Sequence, residues 1–315
     1  MNERSDDGRS DSDLASATGE RRQLINLAYR LLGSLTEAED VVQETYTRWY
    51  AMSEQRRNDI RSPGAWLTTV ASRICLDLLD SARARRERYV GEWIPEPLPD
   101  RDEWGSAATP DPADRITLDE SVHMAFLVVL ESMTPAERVA FVLHDVFRYS
   151  FPEVAEIVGR TPAACRQLAT SARRRIRSGR ATSATSTTST TSADRRADLV
   201  RSLKRAWEAK DIDALVDLLD PEVTAVGDGG GRAVAALVPI EGAERVARYL
   251  VDLADLAPGL TLSERTINGQ PGLVAHVDDG SVTVIAFDVA GDRITHIWAV
   301  RNPEKLRPWG AGGVA

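Results

Sequence analysis

Seven arginines, at positions 160, 166, 173, 174, 175, 177 and 180, crowd into one stretch without a single acidic residue, although the 315-residue chain carries a net charge of −9. A guanidinium fork suits phosphate oxygens and the O6/N7 edge of guanine, and a glutamine amide suits adenine. On a helical projection of PAACRQLATSARRRIR (162–177), Cys165, Leu168 or Ala169, Ala172 and Ile176 share one face. The other face carries Arg166, Gln167, Thr170, Ser171, Arg173, Arg174 and Arg177, with Arg160 and Thr161 at its start. Such a helix fits a major groove, its hydroxyls and arginines holding phosphates. The plain alternative is a solvated basic face on a helical hairpin. The acidic remainder does not oppose binding, because salt confines a charge's reach to about 8–10 Å.

Two further stretches have the right types for contacts of their own. Between 55 and 90 there are eight arginines (56, 57, 61, 73, 83, 85, 86, 88) against four acids, with Trp49, Tyr50 and Trp66 nearby. Aromatics beside a basic helix can stack on unpaired bases, or they are simply core. By contrast, TEAEDVVQET presents Glu37, Glu39, Asp40, Gln43 and Glu44, a poor DNA surface and a good protein-binding one.

The elements that position these residues read from periodicity and caps. LINLAYRLLGS places Leu24, Leu27, Ala28, Leu31 and Leu32 on one helical face, and Gly33-Ser34 ends it. Thr36 with Glu39 reads as a capping box for the next helix, and Ser62-Pro63 opens a third. Thr117 to Leu130 is another helical stretch. Thr134-Pro135, Ser150, the turn residue Gly159 and Thr161-Pro162 then punctuate a helix-turn-helix. Residues 194–220 and 243–256 read as helices, and PEVTAVGD, RAVAALVPI, LTLSERTIN, GLVAHVDD, SVTVIAFDVA and RITHIWAV as strands.

The expected organisation is therefore a disordered leader (1–20), a helical module (21–90), a Pro/Gly-rich linker (91–116), the helix-turn-helix module (117–177), a Ser/Thr-rich tether (178–193) and an α+β module with a bent antiparallel sheet (194–315). No apolar run is long enough to span a membrane and the first residues lack a secretion signal, so the expected compartment is the cytoplasm. Two distant cysteines, 75 and 165, support neither a disulfide framework nor a zinc site.

These residues carry a family resemblance. LAYRLLGSLTEAEDVVQETYTRWY, SPGAWLTTVASRICLDLL and the 134–177 helix-turn-helix resemble regions 2 and 4 of an extracytoplasmic-function sigma factor, and the tail past 194 resembles an NTF2-like, SnoaL-type cone. WIPEP (93–97), DGGG (228–231) and NPEKL (302–306) resemble the subgroup with such a fused extension. Ile94 stands where Leu is usual, Arg232 where Lys often follows the glycines, and Glu304 where Asp is usual. The resemblance implies a multidomain protein of two all-α sigma domains plus an α+β cone. It implies that it binds core RNA polymerase, at the β′ clamp helices and β flap, and promoter DNA. Asp40, Val41, Gln43 and Glu44 would dock on polymerase. Trp66, Thr69, Arg73, Arg83, Arg85 and Arg86 would read the −10 element, and the basic helix, Arg160 to Arg177, the −35 element. No metal, cofactor or catalytic residue is implied.

The cone module raises three readings: enzyme, ligand sensor and clamp. Chemistry would need an acid or base in its pocket, and His276, Asp278, Asp288 and His296 are the candidates, none forming a recognisable pair. The expectation is a non-enzymatic regulatory module with room for an unknown small ligand. Its DGGG loop (Asp228, Gly229, Gly230, Gly231) and NPEKL turn (Asn302, Pro303, Glu304, Lys305, Leu306) would meet the linker at Trp93, Ile94, Pro95, Glu96 and Pro97. DGGG reads as a flexible loop and WIPEP as a rigid apolar anchor.

Overall fold

The structure, a computed structural model, describes residues 7–86, 89, 91–100, 122–182 and 190–309. The chain divides into two compact units. Among the described residues, one takes 7–83 and 133–173, and the other 84–86, 89, 91–100, 122–132, 174–182 and 190–309.

In the first unit, α1 (Asp7–Leu32) begins well inside the expected disordered leader. Residues 7–20 contain no proline, and once Leu24–Leu32 nucleate a helix, extending it costs little. Every residue from Leu24 to Leu32 is buried, including Asn26 and Arg30, where the sequence pattern suggests a single face. The Arg30 guanidinium donates to the Asn26 carbonyl (2.9 Å) and lies 5.8 Å from the Phe147 ring centre. Arg138 Nη1 donates to the Leu31 carbonyl at 2.8 Å, satisfying a helix-end acceptor. Burial lowers the Arg138 guanidinium to about 9, still above neutral pH, so it donates as a cation.

Helix α2 (Leu35–Ala51) is capped by Ser34, which accepts from the Glu37 amide at 3.3 Å, two residues before the expected Thr36 cap. Then come α3 (Glu54–Asn58) and α4 (Pro63–Arg86). Helix α5 (Met124–Glu131) folds with the second unit, although the sequence reading groups it with the helix-turn-helix. The helix-turn-helix proper is α6 (Pro135–Phe141), a wide π turn (Val142–Val146), α7 (Phe151–Val158) and α8 (Pro162–Thr182). Thr134/Glu137 and Ser150/Glu153 form capping boxes. Gly159 ends α7 in the left-handed region, φ 69° and ψ 35°.

The second unit adds α9 (Thr190–Glu208), α10 (Ile212–Leu218), β1 (Leu219–Asp228), β2 (Ile240–Glu241), α11 (Ala243–Leu256), β3 (Thr261–Ile267), β4 (Gln270–His276), β5 (Val282–Ala290) and β6 (Arg293–Val300). The expected tether 178–193 is narrowed: α8 and α9 run into both its ends, which carry no proline, and 183–189 lie outside the described residues. The expected strand RAVAALVPI contributes only Ile240; the glycine turn before it and Pro239 within it remove the regular ladder.

The strands form one sheet, ordered β2-β1-β6-β5-β4-β3. All pairs are antiparallel except β1 with β6, which runs parallel. The chain enters the β3–β6 meander through α11, so the last strand returns beside β1 in the same direction. Alternate residues serve two cores. Leu273, Ala275, Ile285, Phe287 and Ile297 pack with α9, α10 and α11. Val274, Val284, Ala286, Trp298 and Val300 pack instead with Ile94, Met124 and Leu306. An antiparallel sheet covered on both faces explains why GLVA and TVIAF show no polar alternation.

A Cβ at Gly159 would meet no atom within 4 Å, so Gly159→Ala tests backbone strain alone. The left-handed conformation predicts a loss of about 1–2 kcal/mol, and less for Gly159→Asn. Urea unfolding followed by circular dichroism checks both values.

Candidate functional site

On α8 the buried face consists of Cys165, Ala169, Ala172 and Ile176, which settles the choice between Leu168 and Ala169. Arg160, Thr161, Arg166, Gln167, Thr170, Arg174 and Arg177 are exposed. Thr161 also caps the helix, accepting from the Ala164 amide (3.2 Å), and Arg166 lies 5.1 Å from the Phe151 ring centre. Two expected base or phosphate contacts are committed inward. Arg173 pairs with Asp145, Nε to Oδ1 at 2.8 Å, and Ser171 donates to Glu137 Oε1 at 2.6 Å. Glu137 and Asp145 are the partners that sequence spacing alone did not reveal.

On α4, Trp66 is half-buried, its ring 5.2 Å from that of Trp49. Thr69 donates to the Ala65 carbonyl, and Arg73 donates to the Glu156 carbonyl at the end of α7 (2.8 Å). The side chains of Arg83, Arg85 and Arg86 lie outside the described residues. On α2, Asp40, Gln43 and Glu44 are exposed, with Glu44 accepting from Arg48 at 2.8 Å. Val41 is buried in the core and is no surface contact, because it follows the apolar face of its helix.

The second unit brings WIPEP, DGGG and NPEKL together around Asp228, whose side chain is 0% exposed. Oδ1 accepts from the Tyr89 hydroxyl (2.6 Å) and the Gly230 amide (3.1 Å). Oδ2 accepts from the Ile94 amide (3.0 Å) and Lys305 Nζ (2.6 Å). Lys305 also donates to the Ile94 carbonyl, and its ammonium stands 4.0 Å from the Trp93 ring centre. Asn302 Nδ2 donates to the Tyr89 oxygen (2.9 Å), while the Arg301 and Asn302 amides hold the Asp228 carbonyl. Burial, then the hydrogen bond to Asp228, raise the Tyr89 phenol well above its usual range, so it stays a donor.

The rest of the motif is packing. Ile94, Pro95, Glu96 and Pro97 are all buried, and the Trp309 indole donates to the Pro97 carbonyl (2.9 Å). Leu306 joins the same core, whereas Pro303 and Glu304 are exposed. Glu304 pairs with Arg232 across open solvent, a contact worth little. The glycines are not a flexible loop. A Cβ at Gly229 would fall 2.0 Å from the Ala233 carbonyl oxygen, and one at Gly230 2.3 Å from Asn302 Nδ2. Tyr89 and Asn268 went unnoticed in the sequence. Asn268 accepts from the Leu98 amide and donates to the Val122 carbonyl, tying the linker and the start of α5 to the β3–β4 turn. Its Asn-Gly dipeptide between two strands is the signal that marks this hairpin.

Between the sheet and α11 lies a cavity of about 90 Å³ lined by Trp207, Ala225, Leu250, Ala275 and Ile285, with Tyr249, Thr283 and Arg301 supplying its polar side chains. His276, Asp278, Asp288 and His296 are not in its lining. His296 instead stacks on Trp298, ring centres 5.5 Å apart. Among the described residues no cluster suits a metal ion, and no helix is long and apolar enough to cross a membrane.

Comparison with known proteins agrees with this geometry. Residues 18–85 match the model for sigma-70 region 2, and residues 123–176 that for sigma-70 region 4. The chain is 37% identical over 296 residues to the extracytoplasmic-function RNA polymerase sigma factor SigJ of Mycobacterium tuberculosis, covering 91% of this chain and 90% of that one. It is 34% identical to a probable sigma factor of the same kind, SigI of M. tuberculosis, over 91% of this chain and 92% of that one. The crystal structure of M. tuberculosis SigJ superposes with a TM-score of 0.73 at 33% identity, covering 94% of this chain and 98% of that one.

Removing one partner of a buried ion pair strands the other. Asp228→Ala is expected to cost about 3–5 kcal/mol, and adding Lys305→Met should recover part of that loss. Thermal unfolding of the full-length single and double variants measures the difference.

Proposed function

From the premise that this chain belongs to the extracytoplasmic-function family of RNA polymerase sigma factors, we propose that its NTF2-like module controls promoter-specific initiation by gripping the linker between regions 2 and 4. Members of this family bind core RNA polymerase and direct it to promoters. The exposed acidic side of α2 is the polymerase-docking surface in this reading, at the β′ clamp helices. The aromatic and basic side of α4 serves the −10 element, and the outer face of α8 serves the −35 element. The protein works in the cytoplasm, where polymerase is.

The observation that carries the regulatory part is the buried Asp228 carboxylate. It joins Tyr89, just before the linker, and Ile94 within it to Lys305 of the NPEKL turn. The same sheet covers Met124 of α5, which lies in the stretch matched as region 4. A linker and a first helix held this way limit how the two DNA-reading modules arrange themselves, and releasing them enlarges that choice. In this reading the module acts as a clamp.

In-vitro transcription with core polymerase, on the promoter of the protein's own gene, tests both levels. The full-length protein is expected to yield core-dependent transcripts. Trp93→Ala and Lys305→Met should change that yield by roughly two- to thirtyfold while leaving the helical modules folded. Unchanged yield from both variants removes the clamp. No core-dependent transcript, on this promoter and on a random library, removes the sigma assignment.

A further inference from the structure

The cavity between the sheet and α11 is not used by the clamp. Small residues at Ala225, Ala275 and Ala299, on three different strands, leave the space. One cation stands in a mostly apolar lining, with Tyr249 and Thr283 as the other polar side chains. Arg301 Nη1 donates to the Val234 carbonyl (2.6 Å), but Nε is buried and has no acceptor among the described residues. Asp279, whose carboxyl feels the Arg301 charge, is fully exposed and accepts from the Ser281 amide at 2.8 Å. A buried guanidinium N–H without an acceptor is unfavourable, and a ligand carboxylate would supply one. The Tyr249 phenol lines the same cavity. Burial raises it above its usual range, with the Arg301 charge acting in the opposite sense.

The rim leads directly to the clamp. Val234 and Leu237 are large apolar side chains left exposed beside the lining residues Ala235 and Ala236. A Cβ on the linker residue Gly91 would sit 3.9 Å from Leu237 Cδ2. Gly227 lines the cavity immediately before Asp228, and the Arg301 amide donates to the Asp228 carbonyl at 2.8 Å.

We infer that the cavity binds a small amphiphilic carboxylate, an aliphatic or aryl acid, with its tail in the apolar lining and its carboxylate on Arg301, and that binding tightens the hold of Asp228 on the linker. The tightening rests on the clamp reading above; the binding does not. A ligand that fits the gripped conformation shifts the population toward it.

Isothermal titration of the full-length protein with octanoate and with octan-1-ol tests the site. Octanoate is expected to saturate one site, with the alcohol weaker by roughly tenfold or more, as a charge-assisted contact requires. Arg301→Gln should abolish that preference, and Ala275→Phe, which fills the space, should abolish both titrations. Absence of saturable octanoate binding, or equal affinity for acid and alcohol in the unaltered protein, overturns the site. Hydrogen exchange at the Ile94 amide, which donates to Asp228, tests the coupling in the same sample. Octanoate should slow it; saturation with unchanged exchange overturns the coupling. No readout depends on transcription, so failure here is distinct from failure of the sigma or clamp readings.

Discussion

Taking a carboxylate out of water costs several kcal/mol unless donors meet its lone pairs, and at Asp228 four of them do. They come from far-separated parts of the chain: Tyr89 and Ile94, the glycine turn, and Lys305. Loss of Lys305 would leave the buried carboxylate without its counter-ion. The cost that makes the burial unfavourable in isolation thus makes the linker's position specific. A hydrophobic contact alone would tolerate sliding; a charge with four directed partners does not.

The sheet explains why such a device is needed. Its β4, β5 and β6 strands are apolar on both faces, and α9, α10 and α11 cover only one. The other must be covered by something, and the linker and α5 do it. Ile94 and Met124 enter one core with Trp298 and Val300. Exposing that face to water would cost about 25 cal/mol for each Å² of apolar surface. Ionic and apolar terms therefore favour the same arrangement, and a change that weakens one is opposed by the other.

Much of this was legible in the sequence, and several of the failures share a cause. The helix-turn-helix caps and Gly159 depend on local chemistry and stand where periodicity puts them. The three short motifs do come together. These failures depend on partners distant in the chain. Val41 looks like part of a docking surface only if its neighbours in space are ignored. Arg173 looks free until Asp145 is placed beside it. The DGGG turn looks flexible until Asn302 is found where a Cβ would go. The parallel pairing of β1 with β6 is likewise a fact of topology. Each was beyond a reading that proceeds a dozen residues at a time.

The same partition of charge bears on how an acidic protein can approach DNA at all. Of the arginines on α8, Arg173 is neutralised by Asp145, which fixes the helix to its own module. Arg166, Arg174 and Arg177 remain exposed with Gln167 and Thr170 on the outer side. At cellular salt, screening limits the reach of these charges and of the net charge of −9 alike. On the proposed function, polymerase brings the basic face to within that range of a promoter. On the proposed reading, the acidic composition and the basic helix are two parts of one requirement: weak binding to DNA alone and firm binding in company.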